Sequence, residues 1–281
     1  MKPNVVQNLD NNKNIPEEDK KAFKNFLKVA TLVEFGKIDK RNDGYILNDL
    51  KLPRCTSVLQ MDGSKAGALM EWAKREVVSF AKTNLKYELE KTGQLTASTI
   101  DFILDGALAN PDKQKDEAAY HGTTVHDNIE NYLTGYDYKE DEPLARFKEA
   151  WKKFGGEIVA TEIPVVWHDN RGRGFGGRVD ALCYKDGKWI IGDNKTSRSV
   201  HSSYACQISG YSHAIEQMSD GKIRIDQGVI FHVPHFSTMN DRQKREYNKR
   251  GNLIYINDLE EPFEYYQLLL GLYYKRNASY F

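Results

Sequence analysis

The stretch from Trp189 to Thr196 constrains the fold of this chain more than any other part of the sequence. It follows the turn signal Lys185–Lys188 and opens with aromatic and β-branched residues, which are typical of a buried strand. The strand then runs into Asp193, Asn194 and Lys195. Because side chains alternate along a strand, Asp193 and Lys195 lie on one face. Burying a carboxylate and an ammonium is costly unless they pair or bind a metal, so we expect a charged site here.

A second acid lies in the preceding predicted strand, where Gly177 is followed three residues later by Asp180. If the two strands form a hairpin, both carboxylates and the lysine reach the same edge of a sheet. Such a set suits a hard divalent cation and a phosphate. Taken alone, however, Asp-x-Lys is a weak motif, and an ion pair at a sheet edge explains it better.

The order of the predicted elements indicates an α/β core. Helices at 118–133 and 143–154 are followed by strands at 157–167, 175–184 and 188–195, a helix at 202–218, a strand at 227–233, a basic connection at 242–250, a strand at 253–256 and a helix at 259–276. We therefore expect a mixed central sheet flanked by helices over residues 116–281. Residues 17–115 are predicted to form a mostly helical N-terminal lobe with an exit linker at 111–116, and residues 1–16 a disordered tail.

Composition narrows the function classes. The 281 residues carry 40 basic and 40 acidic side chains, so bulk charge does not hold this protein on nucleic acid, although a local groove can still be basic. The three cysteines are far apart and form no CxxC pair, which argues against a disulfide framework and structural zinc. With no apolar run of membrane-spanning length and no secretory signal, we expect a soluble cytoplasmic protein.

The acids and the lysine are the groups that phosphodiester hydrolysis requires. Mg²⁺ or Mn²⁺ prefers oxygen ligands and keeps several waters, so a few protein ligands are enough. Asp180 and Asp193 supply two, and the backbone carbonyl of Asn194 is a candidate third. Lys195 would hydrogen-bond the attacking water or a scissile oxygen and stabilise the negative charge that develops.

Four further features accompany this set: His126 on a predicted helix, Glu162 in the first strand, the Gly177-x-x-Asp180 segment, and Gln207 with Tyr211 one helical turn apart. In order and content the set resembles the PD-(D/E)XK nuclease superfamily, in its RecB-like branch, which includes phage exonucleases and a mitochondrial genome-maintenance exonuclease. The resemblance covers roughly residues 118–233 and extends more weakly to 56–72. It implies a restriction-endonuclease-like core of the PD-(D/E)XK type.

The resemblance also implies roles for individual residues. His126, Asp180 and Asp193 would be ligands of one or two Mg²⁺ or Mn²⁺ ions, and Lys195 the catalytic lysine. Gln207 and Tyr211 would position DNA or the lysine. Glu162 has three open readings: an outer metal ligand, a base, or only the polar face of its strand. Because the cysteine cluster of several branch members is missing, no iron–sulfur cluster is expected.

The expected substrate is DNA, as free ends or single strands, in phage-type replication, recombination or repair, and proteins of those processes are the expected partners. Phosphate contacts are predicted at Arg171, Arg173, Arg178, Thr196, Ser197, Arg198 and the basic residues of 242–250. The alternative for these charged residues is a solvated surface. Stacking on bases is predicted for Trp167, Phe175 and Tyr204. A helical lobe that arches over the site would favour an exonuclease. An endonuclease and a DNA-binding module without cleavage are the alternatives, and the oligomeric state stays open.

Overall fold

The computed structural model describes residues 4–5, 9, 12–40, 42–64 and 66–278. Its helices and strands, in chain order, are β1 (Asn4–Val5), α1 (Glu17–Ala30), β2 (Glu34–Lys37), β3 (Asp43–Leu47), β4 (Leu50–Pro53), α2 (Cys55–Leu59), α3 (Ala66–Thr92), α4 (Ala97–Thr134), α5 (Glu142–Phe154), β5 (Glu157–His168), β6 (Gly174–Lys185), β7 (Lys188–Lys195), α6 (Ser203–Met218), β8 (Ile225–His232), α7 (Asp241–Arg250), β9 (Leu253–Ile256) and α8 (Glu260–Arg276).

A mixed sheet with the strand order β1-β5-β6-β7-β8-β9 forms the centre of the fold. Neighbouring strands are antiparallel except β7 and β8, which run parallel and are joined by α6. A parallel pair needs such a crossover because a short turn reverses the chain direction. The predicted α/β class and the predicted order of strands and helices from β5 to α6 are therefore confirmed.

Two apolar layers cover the sheet. Leu182 and Ile191 belong to one buried cluster, which helices α1, α2, α6 and α8 share. Ala181 and Ile190, their immediate neighbours in the strands, belong to a second cluster with α5 and the C-terminal end of α4. This alternation is the period of a strand that is buried on both faces, and it explains why β6 and β7 are almost continuously apolar.

The chain divides into two compact units, one of residues 1–61 and 125–281 and one of residues 62–124. This division differs from the predicted boundary near residue 115. Residues 34–53 are not helical but form a three-stranded antiparallel sheet, β2-β3-β4, in the first unit. The predicted linker at 111–116 lies inside α4, which continues through Pro111 although an interior proline removes one helical hydrogen bond.

Two smaller expectations also change. The predicted tail 1–16 lies partly outside the described residues, but Val5 pairs with β5, and Leu9 and Ile15 are buried in the core. The predicted basic connection at 242–250 is helix α7, which a capping box between Asn240 and Gln243 starts. Within the described part of the chain, no helix combines the length and the apolar character that crossing a bilayer requires.

Candidate metal and phosphate site

The candidate site lies where β6 and β7 separate. Their last paired residues are Ala181 and Gly192, so Asp180 and Asp193 follow directly beyond the end of the ladder. The Asn194 amide, which would otherwise continue the ladder, donates instead to Asp180 Oδ2 at 2.9 Å. Because the amide and carbonyl of one strand residue face the same neighbour, the Asn194 carbonyl points into this gap as well.

Asp193 and Lys195 form a buried ion pair on one face of β7. The Lys195 Nζ atom lies 2.7 Å from Asp193 Oδ2, and the side chains are 16% and 3% exposed, in that order. Among the described residues, the Lys195 ammonium is the contact of this buried carboxylate oxygen. Burial raises the pKa of Asp193 to about 6, against the attraction of Lys195, and the nearby Asp180 adds to the rise.

His126 reaches the same gap from α4. Its Nδ1 atom lies 3.3 Å from Asp180 Oδ2. Burial alone would lower the pKa of His126, but the attraction of Asp180 and the hydrogen bond to it raise that pKa to about 9. Burial likewise opposes ionisation of Asp180, yet His126 and Lys195 hold its pKa below the usual value. Two carboxylates, an imidazole and an ammonium therefore meet at one end of the sheet.

Helix α6 holds the lysine from the other side. The Lys195 ammonium donates to Gln207 Oε1 at 3.0 Å, and Gln207 Nε2 donates to the Tyr211 hydroxyl at 3.0 Å. The ring of Tyr204 lies under the ammonium, 4.9 Å from its centroid to Nζ. Gln207 and Tyr211 thus act on the lysine through a chain of hydrogen bonds, one of the two roles that the sequence left open for them.

Glu162 lies beside Asp180 in β5. The pairs Thr161–Ala181 and Ile163–Val179 flank it, so it stands opposite Asp180 in the register of the sheet. Its φ of 55° is in the left-handed region, which a residue with a side chain adopts at a cost of about 1–3 kcal/mol. Burial and the nearby Asp180 raise its pKa to about 7, although it is ion-paired with Arg178.

The loop after β7 carries the predicted phosphate contacts Thr196, Ser197 and Arg198. Thr196 and Ser197 are half-buried and Arg198 is exposed. The Ser197 hydroxyl donates to the Ser199 carbonyl at 2.6 Å and accepts from the Tyr204 hydroxyl at 2.8 Å. This local network fixes the loop immediately beyond Lys195.

His232 at the end of β8 was missed by the sequence analysis. It is fully buried, its Nε2 lies 2.7 Å from the Ser197 carbonyl, and its Nδ1 lies 3.3 Å from an Arg250 nitrogen. With Arg250 as donor to Nδ1, Nε2 carries the proton and donates to Ser197. The sequence signal that could have indicated His232 is its position as a polar residue near the end of the apolar segment 227–233.

Four predicted contacts lie at or beside the turn between β5 and β6 and are not brought to the site: Arg171, Arg173, Trp167 and Phe175. Arg173 lies at the hairpin turn between β5 and β6, seven residues or roughly 23 Å of strand from Asp180, and its Nε donates to Asp169 at 2.8 Å. Phe175 is fully buried and stacks on Trp167 in the core, so the prediction that Phe175 stacks on bases is wrong. Apolar burial of both ring faces outweighs exposure to a ligand.

A cleft that the sequence analysis did not predict lies next to Asp180. It has a volume of about 400 Å³ and is lined by residues of the three-stranded sheet, among them Phe35 and Tyr45, by Arg54, and by Arg178 of β6. The sequence predicts a mostly helical lobe for residues 17–115, and no local pattern placed the strands of residues 34–53 near Asp180.

The ionisable groups of the site neutralise one another. Among the described residues, no three His, Cys, Asp or Glu side chains are arranged as a ready metal-binding group. Asp180 is engaged by His126 and the Asn194 amide, and Asp193 by Lys195. A cation would therefore compete with the His126 proton and with the Lys195 ammonium for the carboxylates.

No family model matches this chain, and no curated protein matches it. Among solved structures, one described as the crystal structure of SSO0001 aligns with 71% of this chain and 73% of its own, at 17% identity and a TM-score of 0.32. A likeness at that score carries no argument about fold or function.

Proposed function

We propose that this chain is a divalent-metal-dependent DNA exonuclease with a PD-(D/E)XK core of the RecB-like type and without an iron–sulfur cluster. It hydrolyses phosphodiester bonds at DNA ends or in single strands, in phage-type replication, recombination or repair. The observation that carries the proposal is the convergence of Asp180, Asp193 and Lys195 where β6 and β7 separate. His126 and Gln207 contact this set directly, which supports the roles that the motif implies for them.

The donor set fits a hard divalent cation. Asp193 Oδ2 is a buried carboxylate oxygen whose contact among the described residues is the Lys195 ammonium, and the Asn194 carbonyl faces the same gap. Mg²⁺ or Mn²⁺ would be held by His126, Asp180, Asp193 and the Asn194 carbonyl. When bound, such an ion supplies charge neutralisation and a water of lowered pKa.

The chain's own residues hold and polarise the reacting phosphate. Hydrolysis joins the water oxygen to phosphorus, breaks the ester P–O bond and leaves a proton on the departing oxygen. Lys195 offers a positive charge to the phosphate oxygens, where negative charge grows in the transition state. Gln207 orients the ammonium, and Tyr211 in turn orients Gln207.

Metal-dependent loss of label from end-labelled single- and double-stranded DNA tests the proposal. The wild type, Lys195→Ala and Lys188→Ala are incubated with Mg²⁺, with Mn²⁺ and with excess chelator. Lys188 is exposed at the opposite end of the same strand and serves as the matched control. We expect Lys195→Ala to lose about 10²–10³-fold in kcat, the usual effect of removing one charge-stabilising donor, and Lys188→Ala to match the wild type.

Two outcomes would overturn this proposal in different ways. Equal activity of Lys195→Ala, or activity that persists in chelator, would remove the catalytic role of the site. DNA binding without loss of label would favour a binding module instead. Linear and closed circular single strands separate an exonuclease from an endonuclease, because an enzyme that needs an end leaves the circle intact.

A further inference from the structure

The cleft beside Asp180 is built by the three-stranded sheet and β6 together. Arg54, immediately after β4, forms a backbone bridge with Gly176 of β6. This bridge fixes the small sheet against the same strand that carries Asp180. The cleft therefore lies along the strand that carries Asp180, one of the carboxylates of the proposed catalytic site.

Two glycines allow the floor of the cleft to form. A Cβ atom at Gly176 would lie 2.3 Å from Tyr45, and one at Gly177 would lie 2.2 Å from the Tyr211 ring. Both distances are far below van der Waals contact, so β6 needs glycine at both positions for the tyrosines to pack against it. The Tyr211 ring that orients Gln207 thus also forms part of the cleft floor.

Two guanidinium groups border the cleft. Arg54 is 46% exposed and Arg178 is 47% exposed. Arg54 lies 3.7 Å from Asp43, and Arg178 is ion-paired with Glu162. A guanidinium presents its N–H donors as a planar fork that suits a phosphate, and the carboxylate beside each one holds it at the rim of the cleft. Burial raises the pKa of Tyr45, and the charges of Arg178 and Arg54 act against that rise, which agrees with both groups lying near its hydroxyl.

An exposed aromatic ring completes the cleft. Phe35 is 37% exposed, although it belongs to a strand. The Arg54 guanidinium lies over its ring at 4.7 Å from the centroid, and the Tyr45 ring meets it edge to face at 5.3 Å. An exposed ring held by an arginine, next to a second arginine, is the combination that single-stranded nucleic acids bind.

We propose that this cleft binds one unpaired nucleotide of the DNA strand that enters the catalytic site, with Arg54 and Arg178 on its phosphate and Phe35 against its base. This inference rests on the proposed function and adds to it the recognition of single-stranded DNA. A volume of about 400 Å³ is that of a small-ligand site and suits one nucleotide. A base inside a duplex is stacked on both faces, so away from a duplex end Phe35 stacks only on a base that is unpaired.

Binding of a fluorescein-labelled oligothymidylate, measured by anisotropy with Ca²⁺ in place of Mg²⁺, tests the role of Phe35. We expect Phe35→Ala to weaken Kd roughly 5- to 150-fold, the range for one aromatic–base stack. Phe35→Tyr should bind like the wild type, and so should Tyr255→Ala, the matched control with an exposed strand aromatic on β9. Melting temperatures show whether each variant is folded.

Oligothymidylates with a single abasic position locate the contact. One abasic position should weaken binding to the wild type and have no effect on Phe35→Ala, because the stack is then already missing. Abasic penalties that are identical in the two proteins would overturn the stacking role. So would a Phe35→Ala variant whose Kd equals that of the wild type.

The salt dependence of Kd tests the arginines. Removing one phosphate contact lowers the slope of log Kd against log salt by about 0.7 for a single strand, so Arg54→Ala should lower it and Phe35→Ala should not. Arg224→Ala, at the far end of β8, is the control for an exposed arginine. An unchanged slope in Arg54→Ala would overturn the phosphate contact.

Binding and cleavage separate the two proposals. If binding depends on Phe35 but no cleavage depends on Lys195, the proposed nucleotide-binding cleft stands and the proposed nuclease function is overturned. If cleavage depends on Lys195 but Kd is unchanged in Phe35→Ala and Arg54→Ala, the nuclease function stands and the nucleotide-binding cleft is overturned. Tighter binding of a blunt hairpin duplex than of the single strand would also overturn the cleft as a site for unpaired DNA.

Discussion

At the residue scale, burial gives Asp193 and Lys195 a different character from an ion pair on a surface. The distance of 2.7 Å between Lys195 Nζ and Asp193 Oδ2 would also be found in an ion pair with a purely structural role. Two further neighbours distinguish this pair from a structural one. The carboxylate of Asp180 lies near the ammonium, and Gln207 accepts a hydrogen bond from the ammonium and holds it in place. The Asp-x-Lys motif alone was therefore a weak signal of a catalytic site, and the residues around the pair in the fold are what support that role.

Removing the lysine should destabilise the fold. Lys195→Ala leaves the buried carboxylate of Asp193 without its ammonium, and we expect the free energy of unfolding to fall by about 3–5 kcal/mol. Lys188→Ala, on the exposed end of the same strand, should change it by less than about 0.5 kcal/mol. Urea unfolding followed by circular dichroism measures both.

A double variant checks the electrostatic cause of that loss. Asp193→Asn together with Lys195→Ala removes the carboxylate charge that the missing ammonium leaves uncompensated, so part of the lost stability should return. If the double variant is as unstable as Lys195→Ala, lost packing and not charge explains the result.

At the scale of elements, the site depends on a ladder that stops early. β6 and β7 pair up to Ala181 and Gly192, while β7 and β8 stay paired as far as Lys195 and His232. The Asn194 amide is thereby released to Asp180, and the strand end stays fixed by β8. The loop that follows is fixed in turn by the hydrogen bond between His232 and the Ser197 carbonyl.

His232 should therefore matter for the loop that carries the predicted phosphate contacts. His232→Leu removes the donor to the Ser197 carbonyl, and we expect a loss of stability of about 1–3 kcal/mol and a KM for single-stranded DNA that rises more than kcat falls. His232→Gln offers an amide donor of similar reach and should restore part of KM. Thermal unfolding and steady-state cleavage measure the two effects.

The comparison of the two variants identifies the cause. A His232→Gln variant with the KM of His232→Leu, at equal thermal stability, would show that the hydrogen bond does not position the loop. A fall in kcat alone would contradict the expected split between binding and catalysis.

At the scale of the whole molecule, the core of the larger unit is closed on both faces of its sheet. All three cysteines of the sequence lie in this unit and are buried. Burial raises the pKa of Cys55 to about 12 and also raises that of Cys183. A thiol in that state is a poor nucleophile, since the thiolate is the reactive form.

The native protein should accordingly not react with a chromogenic thiol reagent at neutral pH. After unfolding in urea, all three thiols should react. The released chromophore counts them, and the rate at low urea reports how often the core opens. Rapid reaction of any thiol in the native protein would contradict the closed core.

Much of the fold could be predicted because its signals are local. The strands β5, β6 and β7 follow from runs of apolar residues between turn signals, and the His, acid, lysine and Gln-x-x-x-Tyr set could be read directly. The linker expected at Pro111 was wrong, because α4 continues on both sides of this proline despite the helical hydrogen bond that it removes. Residues 242–250 were predicted to be a basic connection from their charge alone, although the capping residues Asn240 and Gln243 indicate the start of a helix.

The sequence alone determined the α/β class, the strand order around Asp193 and the identity of the acids and the lysine. Only the tertiary structure decided that β6 and β7 separate at Asp180, that Glu162 stands opposite it with a positive φ, and that the small sheet brings Phe35 and Arg54 to the same edge. Helix and strand periods depend on neighbours within a few residues. These three features depend on contacts between distant segments, which no local pattern encodes.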